Sequence, residues 1–354
     1  MTYTFLDNAL VKQLLPVADC VSIAERALAR LDGGVAVGPP RINLCVPVET
    51  NREYVLKSWQ CADPGSGVAM VRLTSEVLEL SPYGSRAVAR AVPPSPGGGF
   101  VGLVLLLRVS TAEVIAVMHD SALADLAAAA AVGVAAKHLA RTDSGIVGLL
   151  GAGRQAALQL GAIAAIRELR EVRVFYPEEE RRRRFSDEIA SMAVNGRPVK
   201  SAAEAVACSD IAVAASSSPT PVFAAELVGA GMHVSLTRPS EAPRELYDKA
   251  DVLVTSGVEE PVTYAAGSAG ILWRQRRAAQ PANRDRVLSL CAIVSGRIRG
   301  REFPGQITVY GALAGYSPGI LYAALGAELA VRAAELGAAS DLPSLTWPEQ
   351  EHPS

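Results

Sequence analysis

One hexapeptide restricts the fold of this chain more than any other feature. Gly151-Ala152-Gly153-Arg154-Gln155-Ala156 fits the pattern G-x-G-x-x-G/A, with an apolar run over residues 145–150 leading in and helical periodicity over 155–166 leading out. That context marks a phosphate-binding turn between a strand and a helix. Gly151 permits the tight turn, Gly153 lets a pyrophosphate approach the backbone, and Ala156 lets the helix pack on the strand. The helix N-terminus presents unsatisfied N–H groups and a positive dipole end to an anion, and Arg154 adds a charge-assisted contact beside Gln155. Strand-like runs follow at 171–176, 210–215, 232–236 and 252–255, with a helix-like segment at 178–192. Alternation of this kind predicts βαβ units, a parallel sheet and an α/β fold class.

The residues after the second strand bear on the choice of dinucleotide. A site for NAD expects Asp or Glu at that strand end, where this chain has Tyr176-Pro177, then Glu178-Glu179-Glu180 and Arg181-Arg182-Arg183-Arg184. The missing acid and the nearby arginines favour NADP over NAD, with Glu178 still a candidate cofactor contact. The competing reading is a solvated helix face laced by i,i+4 pairs such as Glu178–Arg182. Ser216-Ser217-Ser218-Pro219 follows the strand ending at Ala215, and a strand's C-terminal end is where ligands bind in an open parallel sheet. These three serines join the cofactor-binding set.

Composition narrows the class. Of 354 residues, 50% are hydrophobic and 20% charged, and the net charge is -2. Such a chain buries a large core and carries no electrostatic footprint for nucleic acid or an anionic membrane. Four histidines and five cysteines without a CxxC pair support neither a metal centre nor a disulfide framework. Reduced thiols in a cytoplasmic protein are expected. The N-terminus lacks a basic start followed by an apolar block, so no signal peptide is expected. The alanine-rich segment 121–141 reads as a core helix, and 100–107 as a buried strand.

Before the dinucleotide turn the chain reads differently. Pro16 starts a helix that Gly33-Gly34 ends, and short apolar segments at 42–48, 54–59, 68–73 and 102–108 predict a strand-rich unit. Residues 93–99 read as a loop, 320–336 as a helix and 341–354 as a polar tail.

These residues resemble the ornithine cyclodeaminase/mu-crystallin superfamily. The similar pieces, in order, are Pro40-Arg41, AAKHLAR from Ala135, GLLGAGRQAALQL from Gly148, SSSPTPVF from Ser216, GAGMHVS from Gly229 and IVSGRIRGREFPGQITVY from Ile293. The resemblance implies a Rossmann-type parallel-sheet domain over 127–306. It also implies an α+β substrate-binding and dimerisation domain formed by 1–126 with 307–354, hence a homodimer. It implies imine chemistry with NAD(P), and a site with an arginine near Arg41 for the substrate carboxylate, a strand lysine, an arginine in the alanine helix and an aspartate after a later strand. Arg72 stands where the resemblance places the lysine, Ala127 where it places the helix arginine, and Pro239 or Ser240, beside Glu241, where it places the aspartate.

The departures shape the expected chemistry. Without the helix arginine a free α-carboxylate loses a bidentate partner, and Arg72 cannot surrender a proton at ordinary pH. Hydride transfer needs only a bound nicotinamide and an oriented carbon. The expectation is an NAD(P)H-dependent reductase of a C=N bond in an amino-acid-derived small molecule, such as a cyclic imine. The alternatives are an amino acid cyclodeaminase and a non-catalytic cofactor binder. Catalytic candidates are Arg72, Thr74 and Glu76; substrate-binding candidates are Arg41, Asp125 and Ser240. Against these stand an Arg72–Glu76 structural ion pair, a solvent-facing Asp125, Asp120 or Ser121 as a helix N-cap, and His233 as a hydrogen-bonded core histidine.

Overall fold

The computed structural model describes residues 4–83, 86–92, 102–190, 192, 194–257, 260–267, 269–272, 284–313, 318–337 and 340–341. The loop expected at 93–99 and the tail from 342 lie outside the described residues.

Two sheets divide the chain. The first combines β1 (Thr4–Leu6), β2 (Ile42–Glu49), β3 (Arg52–Asp63), β4 (Val68–Tyr83), β5 (Arg86–Val92), β6 (Gly102–Arg108), β7 (Val114–His119), β14 (Val262–Ala265) and β17 (Ser340–Asp341). Its order is β14-β2-β3-β4-β6-β7-β1-β17, with β5 on β4. The second is wholly parallel, in the order β10-β9-β8-β11-β12-β16-β13-β15. Its strands are β8 (Ile146–Leu150), β9 (Glu171–Phe175), β10 (Gly196–Pro198), β11 (Ile211–Ala214), β12 (His233–Leu236), β13 (Val252–Thr255), β15 (Val287–Ser289) and β16 (Thr308–Tyr310). Short runs such as IAVA in β11 and VLVT in β13 are buried at every position, as strands covered on both faces require.

The expected boundaries need two corrections. β16 sits between β12 and β13, so the parallel sheet extends past residue 306. β14, from within the expected Rossmann span, pairs with β2 of the first sheet. The sequence reading also missed β5 and β7, and it stopped β4 ten residues short of Tyr83.

Helix α1 spans Asn8–Leu14, α2 Val17–Asp32 and α3 Asp120–Leu139. α4 spans Arg154–Ala164, α5 Glu179–Ala190, α6 Ala202–Val206, α7 Arg244–Lys249, α8 Leu290–Val294 and α9 Ile320–Glu335. The expected boundary at 126/127 falls inside α3, a continuous helix shared by both halves. By length and composition α3 could cross a membrane, but 72% of its apolar window is buried within the fold. Its small residues explain how. A Cβ on Gly133 would lie 2.8 Å from Val21 Cγ2 and 3.0 Å from Ala162 Cβ, so glycine and alanine let α2, α3 and α4 approach closely.

The direction of α3 positions the site. Just after its C-terminus, Arg141 pairs with Asp210 at 2.6 Å, beside the N-terminal ends of β8 and β11. Near its N-terminus, Asp125 meets the residues that follow β8. The first turn of α3 therefore overhangs the C-terminal edge of the parallel sheet, the edge that binds ligands in this architecture.

Candidate active site

The dinucleotide turn is built as its sequence requires. Gly151 has φ 147°, and a Cβ there would lie 2.4 Å from the Ala215 carbonyl oxygen, so only glycine lets the ends of β8 and β11 pass. Gly153 caps α4, and the nearest atom to a Cβ there is Arg181 Nη2 at 3.8 Å, which leaves the backbone open to a ligand. Ala156 is fully buried, 3.6 Å from where a Gly151 Cβ would stand. The sheet reverses its strand order at β8, with β9 and β10 on one side and β11 on the other. The crowded Gly151, the open Gly153 and this switch point fit a bound dinucleotide.

Beside the turn lies a cavity of about 280 Å³ lined by Gly153, Arg154, Arg181, Arg184, Phe185 and Glu188, among others. Arg181 is fixed over the Tyr176 ring at 4.6 Å, and its Nε donates to the Ala152 carbonyl at 3.1 Å. Glu178, expected to touch the cofactor, is exposed and does not line this cavity. The exposed helix face laced by i,i+4 pairs is present, through Glu179–Arg183 at 2.6 Å and Arg184–Glu188 at 3.6 Å, but the Glu178–Arg182 pair is not formed. Arg182 lies 3.7 Å from Glu179 and donates to the carbonyls of Tyr176 and Pro177.

The serine turn is held by a residue the candidate set missed. The Ser216 N–H and hydroxyl donate to Glu241 Oε1 at 2.7 and 2.8 Å, and the Arg238 N–H donates to Oε2 at 2.8 Å. Ser218 N–H donates to the Ser216 hydroxyl, whereas Ser217 is exposed. Burial pushes the Glu241 carboxyl up to about 7, against the pull of these donors. The acid at this position is therefore Glu241 rather than Ser240, which is half-buried in the 3-10 turn Pro239–Glu241. His233 is the structural histidine expected, hydrogen-bonded to the Thr308 and Ser235 hydroxyls at 2.9 and 3.0 Å.

Asp125 does not face solvent, and its contacts belong to the cofactor turn rather than to a substrate pocket. Its Oδ1 accepts from Gln155 Nε2 at 2.7 Å, and its Oδ2 pairs with Arg154. Gln159 extends the chain, donating to Gln155 Oε1 at 3.1 Å and to the Thr237 hydroxyl, just after β12, at 3.0 Å.

Five residues earlier on the same helix, about 7.5 Å at a helical rise, Asp120 reaches the first sheet. Arg72 grips it through two nitrogens, with Nη2 2.9 Å from Oδ2 and Nε on Oδ1. The Arg72 guanidinium lies 4.0 Å from the Trp59 ring centroid and 4.3 Å from that of Tyr322 on α9. The expected Arg72–Glu76 pair is absent, because Glu76 instead binds Lys57 at 2.7 Å. The register explains this. Arg72 stands opposite Trp59, and Thr74 opposite Lys57 and Gly102, so these residues share one face. Glu76, one rung further on, meets Lys57 diagonally, while Asp120 descends onto Gly102, where a Cβ would lie 2.8 Å from both Asp120 Cβ and Thr74 Cγ2. Asp120 is thus neither the helix cap, a place taken by His119, nor solvated. Arg41 is buried beside the cluster, 5.0 Å from the Trp59 centroid. Ala127 is fully buried, so no guanidinium enters from that position.

Lys57, Trp59, Tyr322 and Arg181 lie outside the expected site set, Glu241 entered it only as the neighbour of Ser240, and Asp120 only as a helix cap. Lys57 alternates with Trp59 on a segment already read as a strand, so the period-two rule alone places it on the Trp59 face.

Comparison with known proteins places this geometry. The sequence profile of the Ornithine cyclodeaminase/mu-crystallin family matches residues 99–315. A Delta(1)-pyrroline-2-carboxylate reductase of Bacillus cereus (strain ATCC 10987 / NRS 248) is 31% identical over 303 residues, 84% of this chain and 88% of that protein. A putative dehydrogenase of Rhizobium meliloti is 37% identical over 223 residues, and the chain spans 61% of its length. In fold, the chain resembles Thermococcus litoralis Delta(1)-pyrroline-2-carboxylate reductase in complex with NADH and L-proline, with TM-score 0.75, 24% identity and coverage of 96% and 100% of the two chains. It likewise resembles the iminosuccinate reductase of Paracoccus denitrificans in complex with NAD+, with TM-score 0.76, 20% identity and coverage of 97% and 100%.

Proposed function

Because the chain belongs to the ornithine cyclodeaminase/mu-crystallin family, we propose that it is a nicotinamide-dependent oxidoreductase that reduces the C=N bond of a small, amino-acid-derived imine, with NADPH preferred. One observation carries the reading. A single helix, α3, joins the dinucleotide turn through Asp125 to the charged inner face of the first sheet through Asp120. Cofactor and substrate sites are thereby set side by side.

A bound reduced nicotinamide supplies hydride. The chain's own residues bind and orient. Gly151 and Gly153 admit the pyrophosphate to the N-terminus of α4, and Arg154, Arg181 and Arg184 line the cavity that would take a ribose 2′-phosphate. The Glu241-clamped Ser216 turn borders the crevice where β11 ends. Trp59, Tyr322 and the buried Arg41 form an aromatic and cationic cluster whose chemistry suits a planar, carboxylate-bearing ring. Its fixed arginine partners are fewer than the family resemblance implies, which supports a substrate whose carboxylate is masked or held by one guanidinium.

The substrate unit in this reading comprises β1–β7, β14 and α9, and the cofactor unit the parallel sheet and its helices. Exposed Leu44, Val46, Leu73, Leu103 and Tyr264 on the outer face of the first sheet support a second copy packing there, as a soluble cytoplasmic homodimer. Thermal unfolding with saturating NADPH and NADH tests the cofactor assignment, with a larger upward shift expected for NADPH. No shift with either refutes it. Loss of reduced-nicotinamide absorbance against a panel of cyclic imines tests the reaction.

A further inference from the structure

We propose that Lys57, paired with Glu76 at 2.7 Å, is the group that protonates the substrate nitrogen; the proposal rests on the imine-reductase reading. Reduction of C=N needs a proton as well as a hydride. The carbon gains hydride from the reduced nicotinamide, which is oxidised. The C=N π pair takes up the Nζ proton as a new N–H bond, and Lys57 is left as a neutral amine that solvent reprotonates.

The groups around the site leave few candidates for that proton. Arg72 does not release a proton at ordinary pH, and Asp120 is bound to it through both oxygens. Glu241 is fully buried, and three donors occupy its two oxygens. His233 lies within the parallel sheet with both ring nitrogens hydrogen-bonded, and burial holds it down to about 3.

Lys57 differs in place and in partner. It shares a rung with Thr74 and Gly102 on the face that the first turn of α3 covers, beyond the C-terminal edge of the parallel sheet. The Lys57 side chain is 14% exposed and that of Glu76 8%, so the 2.7 Å pair is shielded yet keeps a path to water. Among the described residues, Glu76 on the neighbouring strand pairs with Lys57, and the same face carries the Arg72–Asp120 pair, with Tyr322 from α9 over Arg72.

The experiment compares two substrates in the wild-type protein, Lys57→Met and Lys57→Arg. One is a cyclic imine assayed where its nitrogen is unprotonated. The other is the N-methyl iminium of the same ring, which accepts hydride without needing a proton. Lys57→Met is expected to lose about 100-fold or more in kcat on the imine, to keep near wild-type turnover of the iminium, and to keep the thermal shift given by NADPH. Lys57→Arg, which retains charge without a transferable proton, is expected to stay slow on the imine only. Equal loss on both substrates, full activity of Lys57→Met on the imine, or rescue by Lys57→Arg would each overturn the assignment. A wild-type protein that binds NADPH but turns over neither substrate overturns the imine-reductase reading itself, a result separable from all of these.

Discussion

Removing Asp120 is the most direct test of how the substrate face is held together. The Arg72 and Asp120 side chains are 8% and 9% exposed, so Asp120→Ala leaves a guanidinium with little water to replace two charge-assisted hydrogen bonds. Breaking one side of a buried ion pair costs about 3–5 kcal/mol. The rings of Trp59 and Tyr322, at 4.0 and 4.3 Å, stay in place and continue to attract the cation, each by about 0.5–2 kcal/mol. The expected loss therefore lies at the lower end, about 3 kcal/mol, which is a large share of the stability of an ordinary domain. With a urea slope of about 3 kcal/mol/M, the midpoint should fall by about 1 M in a circular-dichroism titration. The double variant Arg72→Met/Asp120→Leu removes both charges at similar volume and should recover most of that loss. A wild-type midpoint for Asp120→Ala would refute the reasoning. So would a double variant as unstable as the single one, since the cost would then belong to Asp120 alone.

Three further outcomes follow from the geometry. Gly153→Val should fold normally, because nothing lies within 3.8 Å of a Cβ there, yet lose the thermal shift given by NADPH; a retained shift would mean that the turn does not hold the pyrophosphate. Arg181→Ala should weaken NADPH by about 10–100-fold and leave NADH nearly unchanged in fluorescence titrations, and parallel losses for both would contradict a 2′-phosphate site. His233, held down at about 3 from 6.5 by burial, binds its proton more weakly in the folded state. Its contribution is full above pH 6.5 and declines as pH falls toward 3, by about 2 kcal/mol by about pH 5. Denaturation midpoints for His233→Gln should show a flatter acid limb than wild type, and identical slopes would refute the assignment.

The cofactor half of the molecule was legible because its constraints are local. The turn, its strand and its helix are contiguous, and steric demand at Gly151 is written in the residue itself. The substrate half was not, because its contacts join distant segments. Arg72 and Glu76, four residues apart, look like a pair until the β3–β4 register sends one to Asp120 and the other to Lys57. Asp125 reads from sequence as a substrate-binding or a solvent-facing residue, and only the packing of α3 against α4 brings it to Arg154 and Gln155. Glu241 stands one residue after Ser240, where the resemblance places the aspartate, and the 3-10 turn Pro239–Glu241 buries it while Ser240 stays half-buried. β7, VIAVMH, is strand-like in composition, and it runs without a Gly or Pro break into the alanine helix that follows.

The rigidity of α3 bears on how such a protein can diversify. Asp120 and Asp125 sit on one uninterrupted helix, so the offset between the two half-sites is counted in whole residues, each about 1.5 Å and 100° of rotation. A single insertion between them would swing one aspartate away from its arginine, and gradual adjustment along that axis is closed. The strands facing Asp120 carry no such constraint. Exchanging side chains at positions 57, 59, 74 or 76 reshapes the face that meets Asp120 while the ruler stays fixed. New substrate preferences in this lineage should therefore be recorded on β3 and β4, and the stretch from Asp120 to Asp125 should keep its length.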